Sequence, residues 1–216
     1  MDEHKKKQIL GCIDHTLLNP CATKEQLRKL CEEALAYGTA SVCVMPSVVG
    51  YLRHCYPELN ICTVIGFPLG YQTTLAKCAE TEDALRNGAD EIDMVINRVA
   101  LKNGAAEKVT AEIRAVKEIC NDKILKVIVE TCDLTEEEKI IACRCVTEGG
   151  ADFIKTSTGF GKAGATLEDV ALFKEHIGKN VRIKAAGGIR TAEDLEAYFD
   201  AGCARIGASA GVEVLK

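Results

Sequence analysis

Short β-branched runs alternate along this chain with longer segments in which apolar residues recur every three to four positions. That alternation predicts parallel βα units. Strands are expected over residues 12–14, 41–44, 61–65, 91–96, 125–130, 153–155, 182–185 and 205–207. Helices are expected over 24–37, 74–87, 105–120, 135–148, 167–177 and 192–201, with a short helix ahead of the first strand. Thr23, Thr135, Thr166 and Thr191 each stand at a helix start with Gln26, Glu138, Asp169 and Asp194 three residues on, a capping pattern. A phrase recurs before every second strand: Gly38-Thr39-Ala40-Ser41-Val42, Gly88-Ala89-Asp90-Glu91-Ile92, Gly150-Ala151-Asp152-Phe153-Ile154 and Gly202-Cys203-Ala204-Arg205-Ile206. Such an echo is what a barrel assembled from repeated βαβα pieces retains. The expected fold is α/β, a single (βα)8 barrel of the TIM type spanning residues 1–216 as one domain. The alternative, an open doubly wound sheet, lacks its G-x-G-x-x-G turn after the first strand.

Strand side chains alternate between two faces, so parity separates an inner set from a helix-facing one. Ile92, Met94 and Ile96 form the apolar set of their strand, which turns Glu91 and Asp93 inward. The same rule turns Asp14, Lys126, Glu130, Phe153, Lys155, Arg182, Lys184 and Arg205 inward. Barrel interiors are ordinarily filled by Val, Ile and Leu, so this charge calls for a reason. Glu91, Lys126, Arg182 and Arg205 are expected to pair at the lower rim. Asp14, Asp93, Lys155 and Lys184 lie nearest the C-terminal strand ends, where barrel enzymes keep their chemistry.

Composition narrows the field. The 216 residues are 47% hydrophobic and 27% charged with a net charge of −5, values of an ordinary globular domain without a nucleic-acid footprint. The one basic run, Lys5-Lys6-Lys7, reads as a solvated helix start. No apolar run approaches the ~20 residues of a membrane span, and the N-terminus carries no apolar signal core. A cytoplasmic protein is predicted, with no nucleic-acid or membrane partner. The twelve cysteines include no C-x-x-C pair and the four histidines no H-x-x-x-H pair, so neither a disulfide framework nor a metal site is expected.

The chemistry that remains is that of amines. A free lysine of pKa ~10.4 is unprotonated in only about one molecule per thousand near neutral pH. A second ammonium and a dry site would push the pKa down, and Lys155 and Lys184 end neighbouring strands. Asp93 could pair with one of them and move protons. Gly187-Gly188 after the seventh strand and Gly207 to Gly211 after the eighth, with Ser209, Thr158 and Gly159 nearby, suit a phosphate-binding loop pair. Parity alone does not choose between the two lysines as nucleophile. A lysine aldolase or transaldolase using ketone donors, a phosphosugar isomerase and a non-catalytic phosphosugar-binding barrel are the other readings of these features.

The motifs Asp14-His15-Thr16-Leu17-Leu18, Ser41-Val42-Cys43-Val44, Val64-Ile65-Gly66-Phe67-Pro68-Leu69-Gly70, Glu91-Ile92-Asp93-Met94-Val95-Ile96-Asn97, Leu125-Lys126-Val127-Ile128-Val129-Glu130-Thr131, Lys155-Thr156-Ser157-Thr158-Gly159 and Lys184-Ala185-Ala186-Gly187-Gly188-Ile189-Arg190-Thr191 occur in order over nearly the whole chain. In this the chain resembles the class I deoxyribose-phosphate aldolases, in particular their short-chain members. The resemblance implies reversible cleavage of 2-deoxy-D-ribose 5-phosphate to acetaldehyde and D-glyceraldehyde 3-phosphate on a (βα)8 barrel, without metal or cofactor, in deoxyribose phosphate catabolism. It assigns Lys155 as the Schiff-base lysine, Lys184 as pKa perturber and proton shuttle, and Asp93 as proton relay. It places Gly159, Gly187, Gly188, Gly207 and Ser209 at the phosphate and Asp14, Thr16, Cys43 and Thr158 along the pocket. Longer members carry a lysine where Phe160 stands, a serine where Ala210 stands, and a C-terminal tyrosine that this sequence does not have. A homodimer and a homotetramer both remain open.

Overall fold

In the computed structural model, which describes Met1–Lys216, eight parallel strands hydrogen-bond in sequence order and the last pairs with the first. The strands are β1 (Ile13–Leu17), β2 (Ser41–Val44), β3 (Ile61–Ile65), β4 (Glu91–Val95), β5 (Ile124–Ile128), β6 (Phe153–Lys155), β7 (Arg182–Ala186) and β8 (Arg205–Ala208). Helix α1 (Glu3–Leu10) precedes β1. Between the strands run α2 (Lys24–Tyr37), α3 (Val49–Cys55), α4 (Thr74–Arg86), α5 (Arg98–Lys102), α6 (Ala106–Cys120), α7 (Glu136–Glu148), α8 (Leu167–His176) and α9 (Ala192–Asp200), and α10 (Gly211–Leu215) ends the chain. The predicted barrel is therefore present, although α3, α5 and α10 were not anticipated.

The caps behave as their chemistry requires. Thr23, Thr135 and Thr191 each close a capping box, and Thr166 accepts from the Asp169 N–H. The repeated glycines Gly38, Gly88, Gly150 and Gly202 all have positive φ, where the chain turns from helix to strand.

The main apolar core lies between strands and helices, and Ile13, Ile92, Met94, Val127, Ile154, Ile183 and Ile206 all belong to it. These are the residues that parity turned outward. Inside the barrel Cys43, Cys62 and Val64 form a small apolar cluster with Leu18 and Phe67 packed against it. Phe153, also fully buried, lies inward at the lower end, and ion pairs occupy the centre. One more ion pair braces β4 from the helix side: Lys77 of α4 and Glu112 of α6, both buried, meet at 2.9 Å. Lys77 also donates to the Val95 carbonyl at 2.8 Å, and Glu112 accepts the Asn97 N–H at 3.0 Å. The strand that carries Asp93 is thus fixed at its upper end by side chains of two helices.

Candidate active site

Building from the floor upward, Arg205 of β8 donates to both oxygens of Glu91 at 2.8 Å and to Asp14 at 2.6 Å. Ser41 adds a 2.8 Å hydrogen bond to Asp14, and Asn60 one of 2.7 Å to Glu91. Arg182 is exposed and stacks 4.1 Å above the Phe153 ring, so it seals the bottom without joining the ion pairs.

Lys126 does not stay at this rim, as had been expected. It is fully buried and reaches from Glu91 at 2.6 Å to Asp93 Oδ1 at 2.8 Å. Parity gives the face on which a side chain lies but not how far a long lysine stem climbs. Asp93 collects two further ammoniums on Oδ2, Lys155 at 2.8 Å and Lys184 at 2.7 Å. Lys184 also reaches Asp14 at 2.5 Å. Register explains the convergence, since Lys155 and Lys184 are Cα partners on adjacent strands.

Three carboxylates (Asp14, Glu91, Asp93) thus face four cations (Lys126, Lys155, Lys184, Arg205), and with every group charged this ion-paired cluster holds one positive charge in surplus. A neutral amine at one lysine balances the cluster. Burial alone would lower the pKa of Lys184, but the Asp14 and Asp93 carboxylates outweigh it and hold the group above the ordinary lysine range. Lys126 is held up in the same way, chiefly by Asp93 against burial. The expectation that crowded ammoniums push each other down therefore does not hold for Lys184, because a carboxylate sits between each pair. Burial would raise the Asp93 pKa, yet Lys126, Lys155 and Lys184 hold it well below the usual carboxylate range.

Above this layer opens a cavity of ≈ 400 Å³. Lys155 is the one lysine of the cluster on its wall, and Thr16, Thr158, Gly159, Gly187, Gly188, Gly207 and Ser209 line it too. Leu17, Leu18, Pro20, Phe160 and Arg190 are among the further residues that line it. Phe160 meets Phe67 edge to face, with ring centroids 5.3 Å apart, across the mouth.

The backbone N–H groups of Gly159, Gly187, Gly188 and Ser209 make no hydrogen bond within the chain. They face a cavity that an anion can enter. Gly187 adopts φ +85°, and an added Cβ there would lie 3.0 Å from Gly164 Cα and 3.4 Å from Gly159 Cα. Thr156 ties this loop to β6: its hydroxyl donates to the Ala186 carbonyl at 3.2 Å and accepts the Ala186 N–H at 3.1 Å.

Asp14 and Cys43 depart from expectation, for both lie beneath the cavity and are fully buried. Strand β1 continues to Leu17, three residues past its predicted end, which sinks Asp14 by about 10 Å. Cys43 is roofed by Leu18 and Phe67. Its pKa is lowered by a hydrogen bond from Cys62 and, against burial, by Lys184. Cys43, Cys62 and Asp93 bring three potential metal donors within 4.8 Å of one another. An ammonium already occupies that position, with Lys126 Nζ 3.2 Å from Cys62 Sγ and 2.8 Å from Asp93. A cation there would also face Lys155 and Lys184.

Known proteins resemble this chain in sequence and fold. A family model described as DeoC/LacD family aldolase matches residues 9–216. A deoxyribose-phosphate aldolase of Clostridium botulinum (strain Alaska E43 / Type E3) is 58% identical over 210 residues, covering 97% of this chain and 95% of its own. One from Clostridioides difficile (strain 630) is 51% identical over 214 residues, covering 97% and 96%. Among solved structures, the tetrameric deoxyribose phosphate aldolase from Aeropyrum pernix superposes with a TM-score of 0.90 at 30% identity, over 97% of this chain and 90% of that one. With its closed eight-stranded barrel, its buried lysines and a family match over nearly its whole length, the chain belongs to the DeoC/LacD family of aldolases.

Proposed function

We propose that the chain is a carbon-carbon lyase that reversibly cleaves 2-deoxy-D-ribose 5-phosphate to acetaldehyde and D-glyceraldehyde 3-phosphate through an imine on Lys155, in deoxyribose phosphate catabolism. The observation that carries this reading is the position of Lys155. It alone of three clustered lysines opens on a cavity whose other end presents unpaired backbone N–H groups. The amine of Lys155 attacks C1 of the open-chain sugar, and water leaves as the iminium forms. The C3 hydroxyl gives up its proton and the C2–C3 bond breaks. Its electron pair becomes the C1–C2 double bond of an enamine, because the iminium nitrogen accepts the charge. That step needs no metal. Glyceraldehyde 3-phosphate departs, C2 takes a proton, and hydrolysis of the imine releases acetaldehyde.

Lys155 and Lys184 share one oxygen of Asp93 at 2.8 and 2.7 Å, so a proton passes between amines through that carboxylate. Lys184, held protonated, is the proton donor, and Asp93 is the relay. The phosphate rests on the N–H groups of Gly159, Gly187, Gly188 and Ser209, in a cavity that Gly207 and Arg190 also line. Thr16 and Thr158 offer hydroxyls to the sugar. Twelve free cysteines suit a reducing cytoplasm. The exposed groove of Leu69, Tyr71 and Val99 supports assembly as a homodimer or homotetramer.

The test is borohydride reduction in the presence of acetaldehyde, followed by peptide mapping. An N-ethyl group is expected on Lys155. An unlabelled protein, or a label on Lys184 alone, would overturn the assignment.

A further inference from the structure

Glu130 stands where β5 leaves the barrel, and no step above uses it. Its φ of 57° places a residue with a Cβ in the left-handed region, a conformation that disfavours L side chains. Its side chain is buried and forms no salt bridge with any cation of the chain. Both carboxylate oxygens are turned on Thr158 instead. The Thr158 N–H donates to Oε1 at 3.2 Å, and the Thr158 hydroxyl donates to Oε2 in a short contact. Gly161 leaves room for this, since a Cβ on it would lie 3.1 Å from Glu130 Cδ.

The Thr158 hydroxyl has one proton and two lone pairs. Its proton goes to Glu130, and one lone pair accepts the Phe160 N–H at 3.0 Å. The hydrogen-bonding capacity left on a residue that lines the cavity is therefore a single lone pair. Thr158 lies between Lys155 and Gly159, and Gly159 packs against Gly187. A substrate held at one end by Lys155 and at the other by the glycine loops passes Thr158 in its middle.

We propose that Glu130 is a positioning residue that fixes the Thr158 hydroxyl as a hydrogen-bond acceptor, and that the site thereby selects acceptor aldehydes bearing a hydroxyl on the carbon next to the carbonyl. This rests on the imine reading, in which D-glyceraldehyde 3-phosphate carries such a hydroxyl. A group at that carbon with lone pairs and no proton meets another lone pair and is rejected.

Glu130→Gln inverts the polarity and keeps the shape. The backbone N–H of Thr158 can only donate, so the amide oxygen must face it and the amide nitrogen must face Oγ1. Both lone pairs of Oγ1 are then filled, and its proton turns to the cavity. The experiment is aldol addition of acetaldehyde to glycolaldehyde and to fluoroacetaldehyde, with the ratio of kcat/KM for the two acceptors measured in the native enzyme and in Glu130→Gln. The ratio is expected to fall by about tenfold in the variant. Equal slowing of both acceptors, with the ratio held, would overturn the proposal as a merely structural loss. Should Glu130→Gln fail to fold, Thr158→Val in the native background gives the same readout: the ratio must fall, and an unchanged ratio overturns the proposal. Failure of the native enzyme to trap acetaldehyde on Lys155 would remove the imine reading itself, a result separate from either ratio.

Discussion

Replacing Asp93 with asparagine isolates the electrostatics of the barrel interior, because the amide keeps the shape and removes one charge. The native carboxylate accepts from Lys126 at one oxygen and from Lys155 and Lys184 at the other, all within 2.8 Å. An amide accepts on one side only, so at least one ammonium loses its contact with residue 93, and Lys155 has no second carboxylate to turn to. The surplus inside grows from one positive charge to two. Breaking one member of a buried pair costs about 3–5 kcal/mol, and that is the destabilisation expected at pH 7. The pH dependence is more diagnostic. The depressed Asp93 pKa gives native stability that is complete above the unfolded carboxylate value of ~3.9 and lost as pH falls through the folded value. The raised Lys184 pKa gives stability that is complete below ~10.4 and lost as pH rises through the folded value. In the variant the ammoniums lose support, so its folded state sheds a proton early and recovers stability as pH climbs toward ~10. The gap between the two proteins should be widest from about pH 5 to 8 and close at both ends. Urea unfolding of both proteins across pH measures it. A gap below about 1 kcal/mol, or one that stays flat with pH, would refute the reasoning. Turnover should fall by about 10²–10⁴ as the proton relay is lost.

Two further outcomes follow from the same geometry. Gly187→Ala forces a Cβ into a φ +85° turn against Gly164. KM for deoxyribose 5-phosphate should rise about tenfold while turnover of unphosphorylated deoxyribose changes little; steady-state kinetics on the two sugars separates a phosphate effect from general damage. Lys77→Met strands the Glu112 carboxylate in the helix layer and should cost about 3–5 kcal/mol in thermal or urea unfolding. Adding Glu112→Leu should restore most of that loss.

The barrel was legible because parity and caps are local properties. Ile92 and Met94 could only face helices, so Asp93 could only face in. The threonine caps at 23, 135 and 191 fixed three helix starts to within a residue. Helix α3 leaves no such signal because Val48 before it makes no side-chain cap, and α5 leaves none because it runs only from Arg98 to Lys102. The depth of Asp14 was misjudged because β1 continues through Thr16, whose hydroxyl turns back to the Asp14 carbonyl at 2.7 Å. The reach of Lys126 and the attention of Glu130 to Thr158 depend on side-chain length and on a left-handed turn. Neither leaves a periodic mark on a sequence.

The charged interior has a consequence for how the two half-barrels meet. All three carboxylates of its ion-paired cluster come from β1 and β4, and all four cations from β5 to β8. Closure therefore lays an anionic inner wall against a cationic one, joined by contacts as distant in sequence as Arg205 with Asp14, 191 residues apart. Two copies of the first half would confront like charges, and so would two copies of the second. A chain divided between β4 and β5 carries its own instructions for finding the correct complement. In gene shuffling among relatives, that division is the one at which each fragment must be matched by charge as well as by shape.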